Sequence, residues 1–309
     1  MLVYLIRKFF YILLVIFIVA TLTFIMARAI PGGPFTREKP LPTAVLKNVE
    51  ARYNLDKPIL VQYFTYMGNM VRFDFGPSFR YEALTVNDII KQTFPVSAIL
   101  GSIALFLALF FGIITGTLAA LYQHKWQDSA LMLLSLIGVS IPSFILATFF
   151  MFTLGMKLKL FPVAGWGSIS HIILPALTLS AYPMAFIAKT IRSNMLEVLS
   201  QDYIKVARAK GLPERIVLFR HAIKNAILPV VTYLGPLIAG IFTGSFLVEN
   251  IFAIPGLGKY FVSSIYDRDY TVILGVTIFY CILLVILNFL VDVSYSFIDP
   301  RIRVAPKNE

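Results

Sequence analysis

Long apolar runs alternate with polar connections along this chain, and six of the runs approach or exceed the roughly 20 residues that an α-helix needs to cross a bilayer. The predicted spans are Phe9–Ala29, Val96–Tyr122, Ser129–Gly155, Ile172–Ala188, Val230–Val248 and Val272–Val291. The fourth is the shortest and contains Pro175 and Pro183, which predicts a kinked helix whose freed carbonyls are satisfied by neighbouring helices. The pattern predicts an all-α polytopic membrane protein with six transmembrane helices, in one membrane domain over residues 1–309.

The first apolar run has a second interpretation, because Arg7 and Lys8 precede it and Ala27-Arg28-Ala29 resembles a small-x-small cleavage site. The apolar region of a signal peptide is only about 7–15 residues long. This run is longer, so we expect a retained first span, and a cleaved signal peptide is the alternative.

Composition agrees with a membrane protein, since 58% of the 309 residues are hydrophobic and 14% are charged, against about 25% charged in soluble domains. The net charge is +11, but many of the Lys and Arg residues lie beside apolar spans, where they orient helices. We therefore expect no nucleic-acid partner. When the long segment after the first span is set aside, the charge contrast predicts that both termini are cytoplasmic. The single cysteine, Cys281, lies in an apolar run, and we expect it to be inert packing.

The segment 31–95 then lies outside the cytoplasm, and its capping signals predict a small helical cap. Thr43 is suited to cap a helix that runs through Tyr53, and Pro58 is suited to the first turn of a second helix. Thr85-Val86-Asn87-Asp88 resembles a capping box with Asp in place of Glu or Gln. A cap rich in aromatic residues would pack against the membrane mouth or a partner, and the alternative is a mere spacer. The aromatic residues are Tyr63, Phe64, Tyr66, Phe73, Phe75 and Phe79.

The cytoplasmic connection 193–229 is basic and has helical signals throughout. Ser200 is a suitable N-cap for a helix over Tyr203–Lys210, and Gly211 ends that helix with a positive φ. Pro213 is suited to open a second helix. An element this structured predicts a docking surface for a partner outside the membrane.

The second helix of this connection is predicted to be amphipathic, to lie at the membrane surface and to lead into the fifth span. Its apolar stripe is Ile216, Phe219, Ile223 and Ile227, with Arg215, Arg220 and Lys224 largely off the stripe. The alternative is a basic loop that only follows charge asymmetry and anionic lipid. That alternative leaves unexplained the small residues Ala207, Ala209 and Gly211, which make room for another protein's surface.

At this point the residues resemble a known family: ARAKGLPERIVLFRHAIKNAILP, from Ala207 to Pro229, is similar to the cytoplasmic loop of ABC importer permeases of the dipeptide and oligopeptide type. The resemblance runs almost from end to end. Its further strings, in order, are PGGPFT after the first span, LDKPILVQYF at Leu55–Phe64, FDFGPSF at Phe73–Phe79, FPVSAILG at Phe94–Gly101, VSIPSF at Val139–Phe144, TGSFLVENIFAIPGLG at Thr243–Gly258, DRDY at Asp267–Tyr270 and IDPRIR at Ile298–Arg303. GPFT with a following LP, and FDFGPSF, are most similar to the B-type membrane subunit of oligopeptide permeases.

The resemblance implies the type I ABC importer permease fold and a subunit, itself no enzyme, that forms half of an oligopeptide path in the bacterial inner membrane. It implies four kinds of partner: a second homologous permease, two cytoplasmic ATPase subunits that use ATP and Mg²⁺, an extracytoplasmic peptide-binding protein, and membrane lipid. It implies no cofactor or metal on this chain. The ATPase-coupling residues implied by position are Tyr203, Ile204, Val206, Ala207, Arg208, Ala209, Lys210, Gly211 and Leu212. The family's loop glutamate is replaced here by Lys205, so its pairing role does not carry over.

Other functions have less support in the residues. The phosphate-binding pattern G-x-x-x-x-G-K-[ST] is incomplete at Gly258-Lys259, because Ala253 replaces its first glycine. An autonomous channel or secondary carrier usually has ionisable residues in mid-membrane, whereas Glu249 and Asp292 lie near span ends. We find no catalytic set within the spans, and the nearest alternative is another substrate of the same family: a dipeptide, haem, nickel or an oligosaccharide.

A peptide path should be lined by small polar side chains. The predicted lining residues are Thr115, Ser140, Thr232, Thr243 and Ser245, with Thr117 and Ser135 as further candidates. The patterns Gly112-x-x-x-Gly116 and Gly240-x-x-x-Gly244 permit close helix contacts, and we favour packing within this subunit over a partner interface.

Overall fold

A computed structural model of the protein describes residues 2–29, 54–81, 83–242 and 246–298, and within them the side chains from Ile6 to Val291. These ranges are helical, apart from turns and one isolated bridge between Pro77 and Thr85. The helices are α1 Leu2–Ala29, α2 Ile59–Val71, α3 Val86–Leu121, α4 Trp126–Ser140, α5 Ser143–Phe150, α6 Ile169–Ser200, α7 Asp202–Ala209, α8 Glu214–Ile216, α9 Ile223–Ala226, α10 Leu228–Phe242, α11 Phe246–Ile251, α12 Leu257–Asp267 and α13 Tyr270–Ile298. A π-helical turn, Met151–Lys157, extends α5, and another, Val217–Ala222, joins α8 to α9.

Five segments are long and apolar enough to cross a membrane, and each overlaps a predicted span. They are Ile6–Ala29, Val86–Leu121, Ile169–Ser200, Leu228–Ile251 and Tyr270–Val291. The fourth predicted span is much longer than its apolar run, because α6 continues as one helix through the buried residues Pro175 and Pro183.

The third predicted span differs, because Trp126–Ser140 and Ser143–Lys157 meet at an angle of 108°. Ile141 is extended, with φ −90° and ψ 123°, as a residue before proline prefers, and Pro142 then opens α5. Counted as one bent span, this pair is the sixth.

The described residues form two compact units, Met1–Pro95 with Gly256–Val285, and Val96–Pro255 with Ile286–Glu309. In the first unit the core lies among α1, α3, α12 and α13, with Phe75 from the loop before α3. Gly275 of α13 permits close packing there, because a Cβ at this position would lie 2.6 Å from Val86 Cγ1 and 2.9 Å from Phe75 Cβ.

Asp269 joins two strings that lie far apart in the sequence, FDFGPSF and DRDY. Its buried carboxylate accepts hydrogen bonds from Ser78 Oγ at 2.5 Å and from the Arg80 N–H at 3.1 Å. It also accepts from Thr271 Oγ1 at 2.9 Å and from the Val272 N–H at 3.3 Å, and thereby caps the start of α13. One side chain therefore ties the 73–80 loop to the first turn of α13.

The predicted capping box at the start of α3 is confirmed. Thr85 Oγ1 accepts from the Asp88 N–H at 3.1 Å, and Asp88 Oδ2 accepts from the Thr85 N–H at 3.0 Å. Pro58 is the N-cap residue directly before α2, so the second predicted helix starts one residue later than expected. The predicted helix from Thr43 to Tyr53 lies outside the described residues.

In the second unit α6 is the central helix, and glycines bring its neighbours close. A Cβ on Gly112 would lie 2.9 Å from Ile187, and one on Gly116 would lie 2.8 Å from Ile191. The predicted packing of this glycine pair within the subunit is confirmed. Gly244 lies outside the described residues, and a Cβ on Gly240 would meet no heavy atom within 4 Å in the described part.

These glycines provide a matched test of helix packing. We expect Gly116→Ala to destabilise the protein by about 1–3 kcal/mol, because the new methyl group meets the Ala188 carbonyl and Ile191. Gly240→Ala introduces the same methyl group into open space, and the better helix propensity of Ala should leave stability unchanged or slightly raised. Thermal unfolding of the two purified variants in detergent measures both effects. Equal melting temperatures would contradict the close packing at Gly116.

Candidate functional site: the basic loop 193–229

The predicted loop 193–229 begins inside α6, which continues to Ser200. Helix α7 starts at Asp202, with Gln201 extended between the two helices. The prediction that Ser200 caps the next helix is wrong. Ser200 is the last residue of α6, and its hydroxyl donates to the Glu197 carbonyl at 2.7 Å, as Ser often does within a helix. Asp202 is in the first turn of α7, where its negative charge interacts favourably with the positive end of the helix dipole.

The turn after α7 confirms the predicted role of Gly211, whose φ is +76°. The Gly211 N–H donates to the Arg208 carbonyl at 2.9 Å, and the Leu212 N–H donates to the Ala207 carbonyl at 3.3 Å. This pair of bonds is the Schellman arrangement, which requires a left-handed residue at the position of Gly211. A Cβ on Gly211 would meet no described heavy atom within 4 Å, so the backbone angle, and not space, selects glycine.

An ion pair closes this turn. Arg208 Nη2 lies 2.6 Å from Glu214 Oε1, and Arg208 Nε lies 3.2 Å from Glu214 Oε2. The hydrogen bonds from Arg208 lower the pKa of Glu214. At pH values above the ordinary carboxyl pKa, the ion pair therefore stabilises the turn. This contribution is lost as the pH falls through the lower pKa that Glu214 has in the folded protein. Both side chains are about half exposed, so screening limits the pair to about 0.5 kcal/mol.

Buried residues on both sides of the turn hold the loop against the second unit's core. Ile204 and Ala207 of α7 are buried, and Val217, Ala222 and Ala226 of the following segment belong to the same core cluster. Asn225 Nδ2 also donates to the Tyr203 hydroxyl at 2.8 Å. The loop is therefore a packed helix–turn–helix element.

The predicted stripe on the second helix is only partly on one face. Ile223 and Ile227 pack against the core, whereas Ile216 and Phe219 are exposed, Phe219 by 72%. The cause is the π-helical turn between Ile216 and Ile223. Its buried residues Val217 and Ala222 are five positions apart, whereas residues on one face of an α-helix are three or four positions apart. Sequence spacing does not indicate this change of register.

The structure divides the predicted coupling residues into two groups. Ile204 and Ala207 point inward, while Tyr203, Val206 and Leu212 are exposed by 43%, 51% and 36%. The exposed group also contains Arg208, Ala209, Lys210 and Gly211. Lys205, at the family's glutamate position, pairs with Asp202 at 2.9 Å. The outward face thus combines apolar side chains, small residues and positive charge.

The predicted path-lining residues lie on separate helices. Thr115 is half-buried in α3, Ser140 is exposed at the end of α4, and Thr232 is exposed on α10. Thr232 Oγ1 donates to the Leu228 carbonyl at 3.0 Å, so it satisfies its own helix. Thr243 and Ser245 lie outside the described residues. Their role as path-lining residues stays a prediction.

Sequence reasoning missed a charged pair between α4 and α6 in the second unit. Arg192 of α6 donates from Nε and Nη2 to the two carboxylate oxygens of Asp128 in α4, at 2.6 and 2.7 Å. Asp128 is buried, with 8% of its side chain exposed. A groove of about 680 Å³ between α4 and α6 has both polar and apolar lining, and its polar side chains are Ser129, Ser135, Tyr182, Lys189, Arg192 and Ser193. The only sequence signal was an Asp in the first turn of one apolar helix and an Arg near the end of another.

A second missed feature is the burial of Glu249. Glu249 lies near the end of the Leu228–Ile251 segment, as the sequence predicts. However, its side chain is fully buried. Ser97 Oγ donates to Glu249 Oε1 at 2.7 Å, which links α3 to α11.

Solved structures with a similar fold are found. A chain of the MetNI methionine ABC transporter in an inward-facing conformation is similar over 68% of this chain and 94% of its own length, with a TM-score of 0.52 and 18% identity. A chain of an amino acid ABC transporter gives the same coverage and TM-score at 14% identity. At these identities the likeness concerns the fold alone, which is that of ABC importer membrane subunits.

Sequence comparison then shows the family. The model described as "Binding-protein-dependent transport system inner membrane component" matches residues 108–304, and the model of the corresponding N-terminal region matches residues 1–101. The chain belongs to this family.

Full-length relatives are also found. The dipeptide transport system permease protein DppB of Bacillus subtilis is 48% identical, over 98% of this chain and 99% of its own length. The oligopeptide transport system permease protein OppB of Salmonella typhimurium is 45% identical, over 93% of this chain and 95% of its own length.

Proposed function

We propose that this chain is the transmembrane subunit of an ATP-driven peptide importer, and that it forms half of the path through the membrane. The observation that carries the proposal is the packed element α7–Gly211–Pro213, whose inner residues belong to the core and whose outer residues are exposed. Such an element moves with the helices to which it is packed. It is therefore suited to convert a push from outside the membrane into movement of α6 and α10.

The exposed face indicates the partner's chemistry. Tyr203, Val206 and Leu212 suit an apolar groove, while Lys210 favours a groove with acidic edges. We assign this groove to a cytoplasmic ATPase subunit, and ATP and Mg²⁺ to two such subunits, with no cofactor on this chain. A second homologous permease completes the path, and an extracytoplasmic binding protein delivers the peptide.

The arrangement in the membrane follows from the same proposal. The ATPase is cytoplasmic, so the 193–229 loop and both termini are cytoplasmic, as the distribution of Lys and Arg favours. The protein lies in the bacterial inner membrane, and the 31–95 segment is on the outer side.

For the substrate we propose oligopeptides, on the strength of GPFT and FDFGPSF. The 48% identity to a dipeptide permease favours dipeptides as the second candidate.

Reconstitution tests this function. The chain is purified with its co-purifying subunits and placed in liposomes, and ATP hydrolysis and peptide uptake are measured with and without the binding protein. We expect uptake only with ATP and binding protein, and faster hydrolysis when peptide is added. Uptake that persists without an ATPase subunit would contradict the proposal. A series of peptides from two to six residues distinguishes the two substrate classes.

A further inference from the structure

Helix α2 lies beside the last turns of α1, and specific contacts hold it there. Tyr63 of α2 and Thr21 of α1 are joined by a hydrogen bond of 2.8 Å between their hydroxyl oxygens. The ring of Phe24 is 5.4 Å from that of Tyr63 and 6.1 Å from that of Tyr66. The position of α2 along α1 is therefore fixed by contacts on two successive turns of α1.

These contacts place α2 at the depth of the bilayer. Thr21 is eight residues before the end of α1 at Ala29, which corresponds to about 12 Å along the helix axis. The apolar segment Ile6–Ala29 has 24 residues and would extend over about 36 Å, against a hydrocarbon core about 30 Å thick. Thr21 therefore lies inside the core, and α2 lies at the boundary between acyl chains and headgroups.

The face of α2 turned away from α1 is apolar and exposed. Leu60, Phe64 and Val71 are exposed by 70%, 69% and 75%. They recur at i, i+4 and i+11, so they form one stripe, which Val61 widens. The face toward α1 contains buried Gln62 and half-buried Tyr66 and Met70, and half-buried Met67 lies at the edge of the stripe. A continuous apolar stripe of this kind on a helix surface marks an interaction site.

We propose that α2 is an interfacial helix that inserts Leu60, Val61, Phe64 and Val71 into the acyl chains of the leaflet near Ala29. Lipid is the occupant because the stripe lies at hydrocarbon depth, where Ile25 and Met26 of the adjoining helix α1 are also apolar and exposed. Exposed Lys57 and Arg72 flank the helix, where their charges reach the headgroups. With both termini cytoplasmic, this is the outer leaflet. The 54–81 segment is then anchored in the membrane and does not stand free above it.

Site-directed spin labelling in the complete transporter, reconstituted in liposomes, tests this inference. In a Cys281→Ala background, labels are placed by Leu60→Cys, Phe64→Cys and Val71→Cys, with Asp56→Cys as the water-exposed control. We expect collisions with oxygen to exceed those with a water-soluble nickel chelate at the three stripe positions, and the order to reverse at residue 56.

Two results would overturn the inference. Strong collisions with the nickel chelate at residues 60, 64 and 71 would place the stripe in water. Weak collisions with both reagents would place it against protein, either the second permease or residues 30–53 of this chain. A second measurement uses Phe64→Trp, with Trp126→Phe and Trp166→Phe, and brominated lipids. Insertion predicts that the lipids quench the fluorescence of the introduced indole, and an absence of quenching speaks against lipid contact.

Discussion

Gly211→Val should abolish peptide uptake while leaving the protein inserted at normal levels. The φ of +76° at this position costs an L-residue about 1–2 kcal/mol, and a β-branched side chain makes this region still less accessible. The turn would then rearrange, and the two hydrogen bonds from Gly211 and Leu212 would be lost. Because α7 is the proposed point of contact with the ATPase, its displacement interrupts coupling. Uptake and ATP hydrolysis in liposomes measure the effect, together with the amount of chain in the membrane fraction.

Gly211→Asn is the matched control. Asn tolerates positive φ better than other non-glycine residues, and the space around a Cβ is open here. We expect Gly211→Asn to retain most of the uptake. If Gly211→Val transports normally, the loop has no coupling role; if Asn and Val fail equally, the requirement at residue 211 is not its backbone angle.

The second large effect is expected from Arg192→Ala. This change leaves the buried carboxylate of Asp128 without its bidentate partner, and breaking such a pair costs about 3 kcal/mol. The estimate is at the low end of the usual range, because 29% of the Arg192 side chain is exposed. Thermal unfolding of the purified protein in detergent should show a clear fall in melting temperature.

Lys189→Ala is the control for this effect, since Lys189 lies one turn away on α6 and lines the same groove. Lys189 is exposed and forms no ion pair with another described residue, so its removal should change stability little. The double variant Asp128→Asn/Arg192→Gln, which removes both charges, should recover much of the loss. If Arg192→Ala and Lys189→Ala lower the melting temperature equally, the groove, and not the ion pair, determines stability.

Features that depend on local chemistry were predictable from the sequence. The capping box at Thr85 and Asp88 and the positive φ at Gly211 each depend on a few neighbouring residues with distinct backbone properties. Gly112 and Gly116 pack against a helix distant in the sequence, but their spacing of four residues alone marks a face that permits close contact. The spans follow from runs of apolar residues alone. A count of apolar residues does not reveal the bend before Pro142, which divides the third predicted span into two helices.

Features that depend on tertiary partners were not predictable. Ser200 has the composition of a cap, but α6 extends far enough to include it, so its hydroxyl bonds within that helix. The π-helical turn at Val217–Ala222 changes which residues face inward, and its buried residues Val217 and Ala222 belong to the same core cluster as Ile204 and Ala207 of α7. The pair Asp128–Arg192 joins residues 64 positions apart, and no local pattern connects them.

The hydrogen bonds of Asp269 set an order of events during synthesis. Ser78 emerges from the ribosome 191 residues before its partner Asp269, and in the finished protein Ser78 is completely buried. Until the chain has been made as far as α13, the hydroxyl of Ser78 and the N–H of Arg80 lack this acceptor, and the 73–80 loop cannot reach its final form. A chain that ends before Asp269 would therefore leave the Ser78 hydroxyl and the Arg80 N–H without this acceptor.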